Sequence, residues 1–430
     1  MPVIVKTDLE FIREPLAAAF GFKGGYLKEL WQVVCQIEDS AGLSGTGLGV
    51  QSVLWSDARV FAALTACGGN TAMLMTTQFA LSRISRMAMT DPPDMIRQIL
   101  PEVYAFARQA AMVPDLKATF ALNALVGVDF ALWQLYAAEN RIESFDTLTA
   151  QFTHSFTHHH SKLGMIPLVP YGMPLEQIHD LARSGCFFFK IKLGQNPGGR
   201  NDPEEMLQAD RQRILEVHAA LKDYATPYTD SGRLLYYLDA NGRYDSRDRL
   251  VRLLDYLDAI GALARTVILE EPFAEELRIP VHGLPVRIAG DESAHSPEDV
   301  RRLIDDLGYG AIALKPIAKT LSVTLEMLDE AASRGIPVFC ADLTVNPLLS
   351  DWNKCVACRL PPLPGIRIGV MESNGAQNYL NWRCMQAFHP IPDAPWQDPE
   401  NGLYRLDEAF YQTSGGILAP PLRYRELLQS

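Results

Sequence analysis

Hydrophobic and polar positions along the chain fall into three textures. Up to about residue 60, β-branched and aromatic runs at Val3-Ile4-Val5 and Leu30 to Ile37 flank a glycine-rich connection, Phe20-Gly21-Phe22-Lys23-Gly24-Gly25-Tyr26. That pattern predicts a small antiparallel unit. From about 92 to 141 apolar residues recur at three- and four-residue spacing, with Phe120, Ala124, Val128 and Leu132 on one stripe, so this stretch is predicted helical. From about 165 onward, short apolar runs alternate with amphipathic segments.

The alternation can be followed strand by strand. Strand-like runs end near Tyr171, Lys192, Asn241, Glu271, Gly290, Lys315, Asp342 and Glu372. Helix-like segments lie between them at Leu175 to Ser184, Pro203 to Tyr224, Arg247 to Ile260, Ser296 to Leu307, Leu321 to Gly335 and, more poorly, Asp351 to Arg359. The connection from Glu271 to Arg287 is short and contains Pro272 and Pro280. Eight strands with crossover helices suffice to close a (β/α)8 TIM-type barrel, an α/β fold whose chemistry gathers at the C-terminal ends of its strands.

Charged residues interrupt the apolar pattern at those ends. Asp239-Ala-Asn241, Glu270-Glu271-Pro272 and Asp291-Glu292-Ser293 each follow an apolar run, and Lys190-Ile-Lys192 precedes them. Carboxylates closing three successive strands form an oxygen cage for a hard divalent cation. Lys190 and Lys192 stand two apart and so share one strand face. Lys315 approaches from four strands further round. A proton next to a carboxylate is a weak acid because the enediolate it leaves carries two negative charges. A cation in the cage stabilises that charge, and a neutral lysine takes the proton. Mutual repulsion and the cation are expected to lower the pKa of one lysine of the pair. Two bases on two faces permit inversion of a stereocentre; one base with an acid permits elimination.

Composition narrows the alternatives. The chain has 430 residues, 48% hydrophobic and 21% charged, with a formal net charge of −12. An acidic protein of this kind is expected to have neither nucleic acid nor an anionic membrane as its main partner. The N-terminus lacks a basic region followed by an apolar one, and no apolar run approaches the ~18 residues of a membrane span, so a cytoplasmic protein is expected. Seven scattered cysteines give no disulfide framework, and Cys355 and Cys358 read as buried helix residues. His158-His159-His160 reads as a solvated linker, because consecutive histidines on a strand point to alternate faces. Ser44-Gly45-Thr46-Gly47-Leu48-Gly49 reads as a turn between strands rather than a dinucleotide loop.

These motifs resemble the enolase superfamily, within it the mandelate racemase/muconate lactonizing enzyme family, in the branch with Lys-x-Lys and a strand-six lysine. The resemblance implies Lys192 and Lys315 as the catalytic bases, Lys190 in support, and Asp239, Glu270 and Asp291 as ligands of Mg2+, with Mn2+ as a substitute. Asn241, Glu292, Glu372, Asp342 and Tyr26 are implied around the metal or the substrate; Glu292 is either a partner of the ligands or a ligand itself. Asp342 and Thr344 either touch substrate or cap the next helix. Ala131-Leu-Trp-Gln-Leu135 resembles a capping-domain helix of the family. Residues 1–150 would then form an α+β capping domain, 151–385 the barrel, and 386–430 a segment returning to the cap. A small carboxylate substrate and a homo-oligomer are expected.

Some positions depart from the family pattern. Gln134 replaces a customary acid, Val50 a customary Glu, proline follows Lys315, and Ala225 to Arg233 reads as an inserted loop. Glu372-Ser-Asn374 replaces the Asp-x-Asp of dipeptide epimerases, which disfavours dipeptides. The expected activity is racemisation or epimerisation of an amino acid derivative or similar carboxylate, ahead of dehydration or cycloisomerisation. A non-catalytic carboxylate-binding protein stands behind both.

Overall fold

The structure, a computed structural model, describes residues 2–23 and 25–428; Gly24 of the glycine-rich connection lies outside the described residues. Three strands, β1 (Ile4–Phe22), β2 (Gly25–Asp39) and β3 (Ser44–Gln51), form an antiparallel sheet in that order. The strands outrun the expected ones. Phe20-Gly21-Phe22 is the end of β1, with Phe20 opposite Leu27 and Phe22 opposite Gly25. Gly21 is there for contact rather than for a turn, since a Cβ on it would meet the Tyr26 ring at 2.6 Å. The sheet register slips between Pro15 and Phe20, where β1 bulges.

The Gly45-Thr-Gly47-Leu-Gly49 motif is strand, not the expected turn. Its glycines share one face at the strand period, and the helix Ala118–Asn140 lies directly on that face. A Cβ on Gly45 or Gly47 would stand 2.0 Å from the carbonyl oxygen of Ala131 or Gly127. Only residues without a Cβ allow helix and strand backbones to approach so closely. The same helix is long and apolar enough to cross a membrane, contrary to the expectation of no such run, and it is almost wholly buried. Asn123, Asp129 and Gln134 interrupt its apolar sequence, and each finds a buried partner: the Val50 carbonyl, the N-terminus of the helix Leu321–Ala332, and the Thr46 amide. A further helix, Ala58–Ile84, escapes the sequence pattern; Thr65 at φ 64° breaks it in two, and Gly68-Gly69 dilutes its periodicity.

The remaining strands form one sheet. They are β4 (Lys162–Ile166), β5 (Leu168–Val169), β6 (Phe188–Lys192), β7 (Leu235–Asp239), β8 (Thr266–Glu270), β9 (Arg287–Gly290), β10 (Ala311–Leu314), β11 (Val338–Cys340), β12 (Gly369–Glu372) and β13 (Leu403–Arg405). Neighbours from β5 to β12 are parallel, and β12 pairs with β4. Because β4 and β5 are one strand interrupted at Pro167, the sheet curls closed into an eight-membered (β/α)8 barrel. The short β13 adds antiparallel to β4. Crossover helices follow the predicted segments at Leu175–Arg183, Pro203–Leu221, Arg247–Ala259, Pro297–Asp305, Leu321–Ala332 and Pro347–Ala357. Between β8 and β9 only a single 3-10 turn, Glu275–Leu277, intervenes, as two prolines dictate. Residues 225–233 form a loop closed by an Ala225–Arg233 bridge. After β13 the chain meets the N-terminal region: the Ile417 carbonyl accepts from Gln134, and Arg425 donates to Ser44.

Candidate active site

Strand alternation decides what enters the barrel. Phe188, Lys190 and Lys192 of β6 share the inner face with Tyr237 and Asp239 of β7. The Phe188 and Tyr237 rings lie 5.9 Å apart, and Phe339 of β11 meets Tyr237 edge-on at 5.3 Å. This aromatic layer is a floor, over which the Lys190 ammonium sits 4.6 Å from the Tyr237 ring. Above the floor the interior turns from apolar to fully charged within one residue layer.

Five buried carboxylates surround that level. Lys190 Nζ lies 3.0 Å from Asp239 Oδ2, 3.3 Å from Glu270 Oε1 and 3.0 Å from Glu372 Oε2. Lys192 Nζ donates to Asp239 Oδ2 at 2.6 Å and Asn241 Oδ1 at 2.7 Å. Across the barrel, Lys315 Nζ donates to Asp291 Oδ2 at 2.5 Å. Lysines and carboxylates are thus interleaved. Glu270, Asp291 and Glu292 place carboxylate oxygens within 4.8 Å of one another. Glu270 Oε2 and Glu292 Oε2 are buried and accept no hydrogen bond from any described residue. Orphaned hard oxygen donors at that spacing fit a divalent cation. Asp239, placed with the ligands on sequence grounds, is here engaged by two ammonium groups, and Glu292 stands in the oxygen cluster.

The charges explain the protonation of the cage. Burial alone would raise Asp239, but Lys190 and Lys192 hold it at about 2. Burial likewise opposes ionisation of Asp291, and Lys315 and Lys319 pull it well below the usual carboxylate range. Burial pushes Glu270 up to about 7 despite Lys190, and burial with Glu292 alongside pushes Glu271 to about 8. Burial works to lower Lys190, yet Asp239, Glu270 and Glu372 hold it well above the ordinary lysine value, and against the same burial Asp291 raises Lys315. Lys190 is therefore not the lowered member of the pair: it faces three carboxylates, and their attraction outweighs burial and repulsion.

The second wall is built from β11 and β12. Glu372 Oε2 accepts the Asp342 amide, Asp342 Oδ2 accepts the Asn374 amide, and Thr344 Oγ1 donates to Asn374 Oδ1. Burial and the Glu372 charge push Asp342 up to about 7. Asp342 does not cap the following helix; Asn346 does, accepting from the Leu349 amide.

Several contributors arrive from the antiparallel sheet, its first turn and the short helix Val53–Ser56 that follows β3. Phe22 lies 5.4 Å from the Lys192 ammonium, and Trp55 lies 4.6 Å from that of Lys315. Lys23 lies 2.8 Å from Glu292 Oε1 and donates to the Trp55 carbonyl. Lys319 could have been found from its i+4 spacing to Lys315; it is fully buried and donates to the Asp291 carbonyl at 2.6 Å. These covering residues leave about 30 Å³ of open volume among the lysines. Immediately outside, sharing Phe20 and Leu168 with that space, lies a mostly apolar recess of about 680 Å³. Ala18, Ala19, Tyr26, Met173 and Leu181 line it. Tyr26 therefore belongs to the outer recess and not to the charged cage. His158 and His159 are exposed, and Cys355 and Cys358 are buried free thiols.

Comparison with known proteins follows the same lines. Residues 175–362 match the family described as enolase C-terminal domain-like. The hydrophobic dipeptide epimerase of Citrifermentans bemidjiense is 26% identical over 336 residues, covering 76% of this chain and 77% of that protein. A mandelate racemase/muconate lactonizing protein from Herpetosiphon aurantiacus superposes with a TM-score of 0.64 at 16% identity, covering 94% and 96% of the two chains. The dipeptide epimerase from Cytophaga hutchinsonii, solved with Mg and D-Ala-L-Val, superposes with a TM-score of 0.63 at 16% identity, covering 87% and 88%. The barrel segment 175–362, with its interleaved lysines and carboxylates at the strand ends, thus matches the enolase C-terminal domain-like family, and the chain as a whole is similar to dipeptide epimerases and shares the fold of mandelate racemase/muconate lactonizing proteins.

Proposed function

We propose that the protein is an isomerase that removes the proton α to the carboxylate of an amino acid derivative and returns it on the opposite face. The observation that carries this reading is the placement of Lys192 and Lys315 on opposite walls of one carboxylate cage. Lys192, when neutral, accepts the α-proton on its nitrogen; the Lys315 ammonium donates its own proton to the other face of the same carbon. The reverse reaction exchanges the two roles. Lys190, clasped by three carboxylates, holds positive charge between the bases. Phe22 and Trp55 cover the two lysines and exclude water, which strengthens every charge interaction beneath them.

Glu270 and Asp291, with Glu292 or Asp239, would hold Mg2+, which would supply positive charge for the substrate carboxylate and offset the carboxylates that raise Lys190 and Lys315. Dipeptides enter the reading through the Citrifermentans relative, whose name is that of a dipeptide epimerase, against the departure at Glu372-Ser-Asn374. The apolar recess beyond Phe20 and Leu168 suits a bulky side chain on such a substrate.

The test is a panel of L-Ala-L-Xxx dipeptides and N-acyl amino acids incubated in deuterated water, read by NMR for α-proton exchange and by chiral chromatography for the epimer. Epimer formation, fastest with large apolar residues, is expected. Keto-acid product from a polyhydroxy carboxylic acid added to the panel, with no epimer formed from any dipeptide or N-acyl amino acid, would replace isomerisation with dehydration.

A further inference from the structure

We infer that Asp210 is a positioning residue that sets the location of the Lys192 base. Asp210 lies in the middle of the helix Pro203–Leu221 and is 1% exposed. A carboxylate in a helix interior is neither a good helix former nor a cap, and burying one without a cation is costly. Among the described residues, no ammonium or guanidinium lies within ion-pair distance of it, and burial pushes its carboxyl up to about 7. Its oxygens are nevertheless fully used. Both accept the Gly194 amide, at 2.9 and 3.0 Å, and Oδ2 also accepts the Tyr244 hydroxyl at 2.8 Å.

Those partners lie on the two segments that matter for Lys192. Gly194 follows Lys192 by two residues at the end of β6, and Tyr244 follows Asp239 and Asn241 at the end of β7. Asp239 and Asn241 are the groups to which the Lys192 ammonium donates. One buried carboxylate therefore fixes the spacing between a base and its two acceptors. The segment is clamped on every side: the Leu193 amide donates to the Asp239 carbonyl, and the Tyr171 hydroxyl donates to the Leu193 carbonyl. Gly194 itself, at φ +80°, allows Arg243 to pack where a Cβ would stand 2.5 Å from it. Nothing comparable links Asp210 to Lys315, whose supports are Asp291 and Trp55.

This asymmetry separates positioning from general stability. It rests on the two-base reading, so Lys192→Ala is the reference: it identifies which epimer of a dipeptide pair, L-Ala-L-Phe or L-Ala-D-Phe, exchanges its proton through Lys192. Asp210→Ala leaves the Gly194 amide and the Tyr244 hydroxyl unpaired. It is expected to slow exchange of that epimer about 10–100-fold, the cost of an ångström-scale misplacement. Exchange of the other epimer should stay within about threefold, since its base lies across the barrel. Asp210→Asn, which keeps an acceptor for the Gly194 amide and can donate an N–H to the Tyr244 hydroxyl oxygen in place of accepting from it, should restore most of the loss. Tyr244→Phe, a milder change, should show the same bias. Equal slowing of both epimers, or no slowing of either, overturns the inference; Lys192→Ala slowing both equally overturns the two-base reading instead. A crystal structure of Asp210→Ala reads the point without substrate. The 2.7 Å contact of Lys192 with Asn241 should be lost while that of Lys315 with Asp291 remains, and an unmoved Lys192 sinks the proposal.

Discussion

Replacing each base singly is the most direct examination of the two-wall arrangement. A positioned proton-transfer group is worth about 10²–10⁴ in rate, or roughly 3–5 kcal/mol of barrier. The variants are informative only if they fold, and the geometry says they do. After Lys315→Ala, Asp291 still has the Lys319 ammonium 3.0 Å away. After Lys192→Ala, Asp239 keeps Lys190 at 3.0 Å. Neither change strands a lone buried charge, so the roughly 3–5 kcal/mol penalty of a broken buried pair does not apply in full. Both proteins should therefore keep a cooperative thermal transition. Each pure epimer is then incubated separately in deuterated water and the α-proton followed by NMR. Each variant should lose net epimerisation by about 10²-fold or more yet retain exchange of one epimer, a different one in each case. A single variant that exchanges both epimers equally would show that one lysine serves both faces and that the other is structural.

Three further outcomes follow. Chelation should abolish activity, with Mg2+ or Mn2+ restoring it, and Glu270→Gln should weaken Mg2+ binding by calorimetry more than about tenfold; unchanged affinity would move the cation elsewhere. Gly47→Ala forces a Cβ to within 2.0 Å of the Gly127 carbonyl oxygen, whereas Gly49→Ala meets its nearest atom at 3.0 Å. Urea unfolding should show a loss of about 3 kcal/mol or more for the first and clearly less for the second, and equal losses would contradict the packing described. Burial would lower His295, but Asp299 and Glu275, at 2.9 and 2.8 Å from its ring nitrogens, raise it to about 9. Its pKa is raised on folding, so its contribution of up to about 3 kcal/mol is complete below pH ~6.5 and fades as pH climbs toward 9. His295→Gln should flatten the stability profile over that window, and an unaltered slope would refute the linkage.

Legibility in the sequence followed periodicity. The barrel could be read because each strand is a short apolar run ending in a charge, and Lys192, Asp239, Glu270 and Lys315 mark those ends without help from anything distant. The antiparallel sheet was harder. Its Gly-x-Gly-x-Gly strand looks like a turn until the helix lying on it is known, since the reason for those glycines is a neighbour some eighty residues away in sequence. Trp55 was invisible as a site residue for a related cause: local pattern says which face a side chain takes, not which strand end that face will cover. The short steric reach of β1 and β2 over the barrel had to be seen in space.

The break at Pro167 has a consequence for how the molecule is made. The two halves of that one strand face different neighbours: Leu168 and Val169 pair with β6, close in sequence, whereas Leu163 pairs with Gly369 and Tyr404. On the ribosome the first half has no partner until about two hundred more residues have emerged, and a closure of such span is slow because its loop entropy comes first. The nascent protein would thus hold an open, curved sheet with both edges unpaired while about two hundred residues are added, and it is this interval, rather than the finished enzyme, in which a chaperone has something to bind.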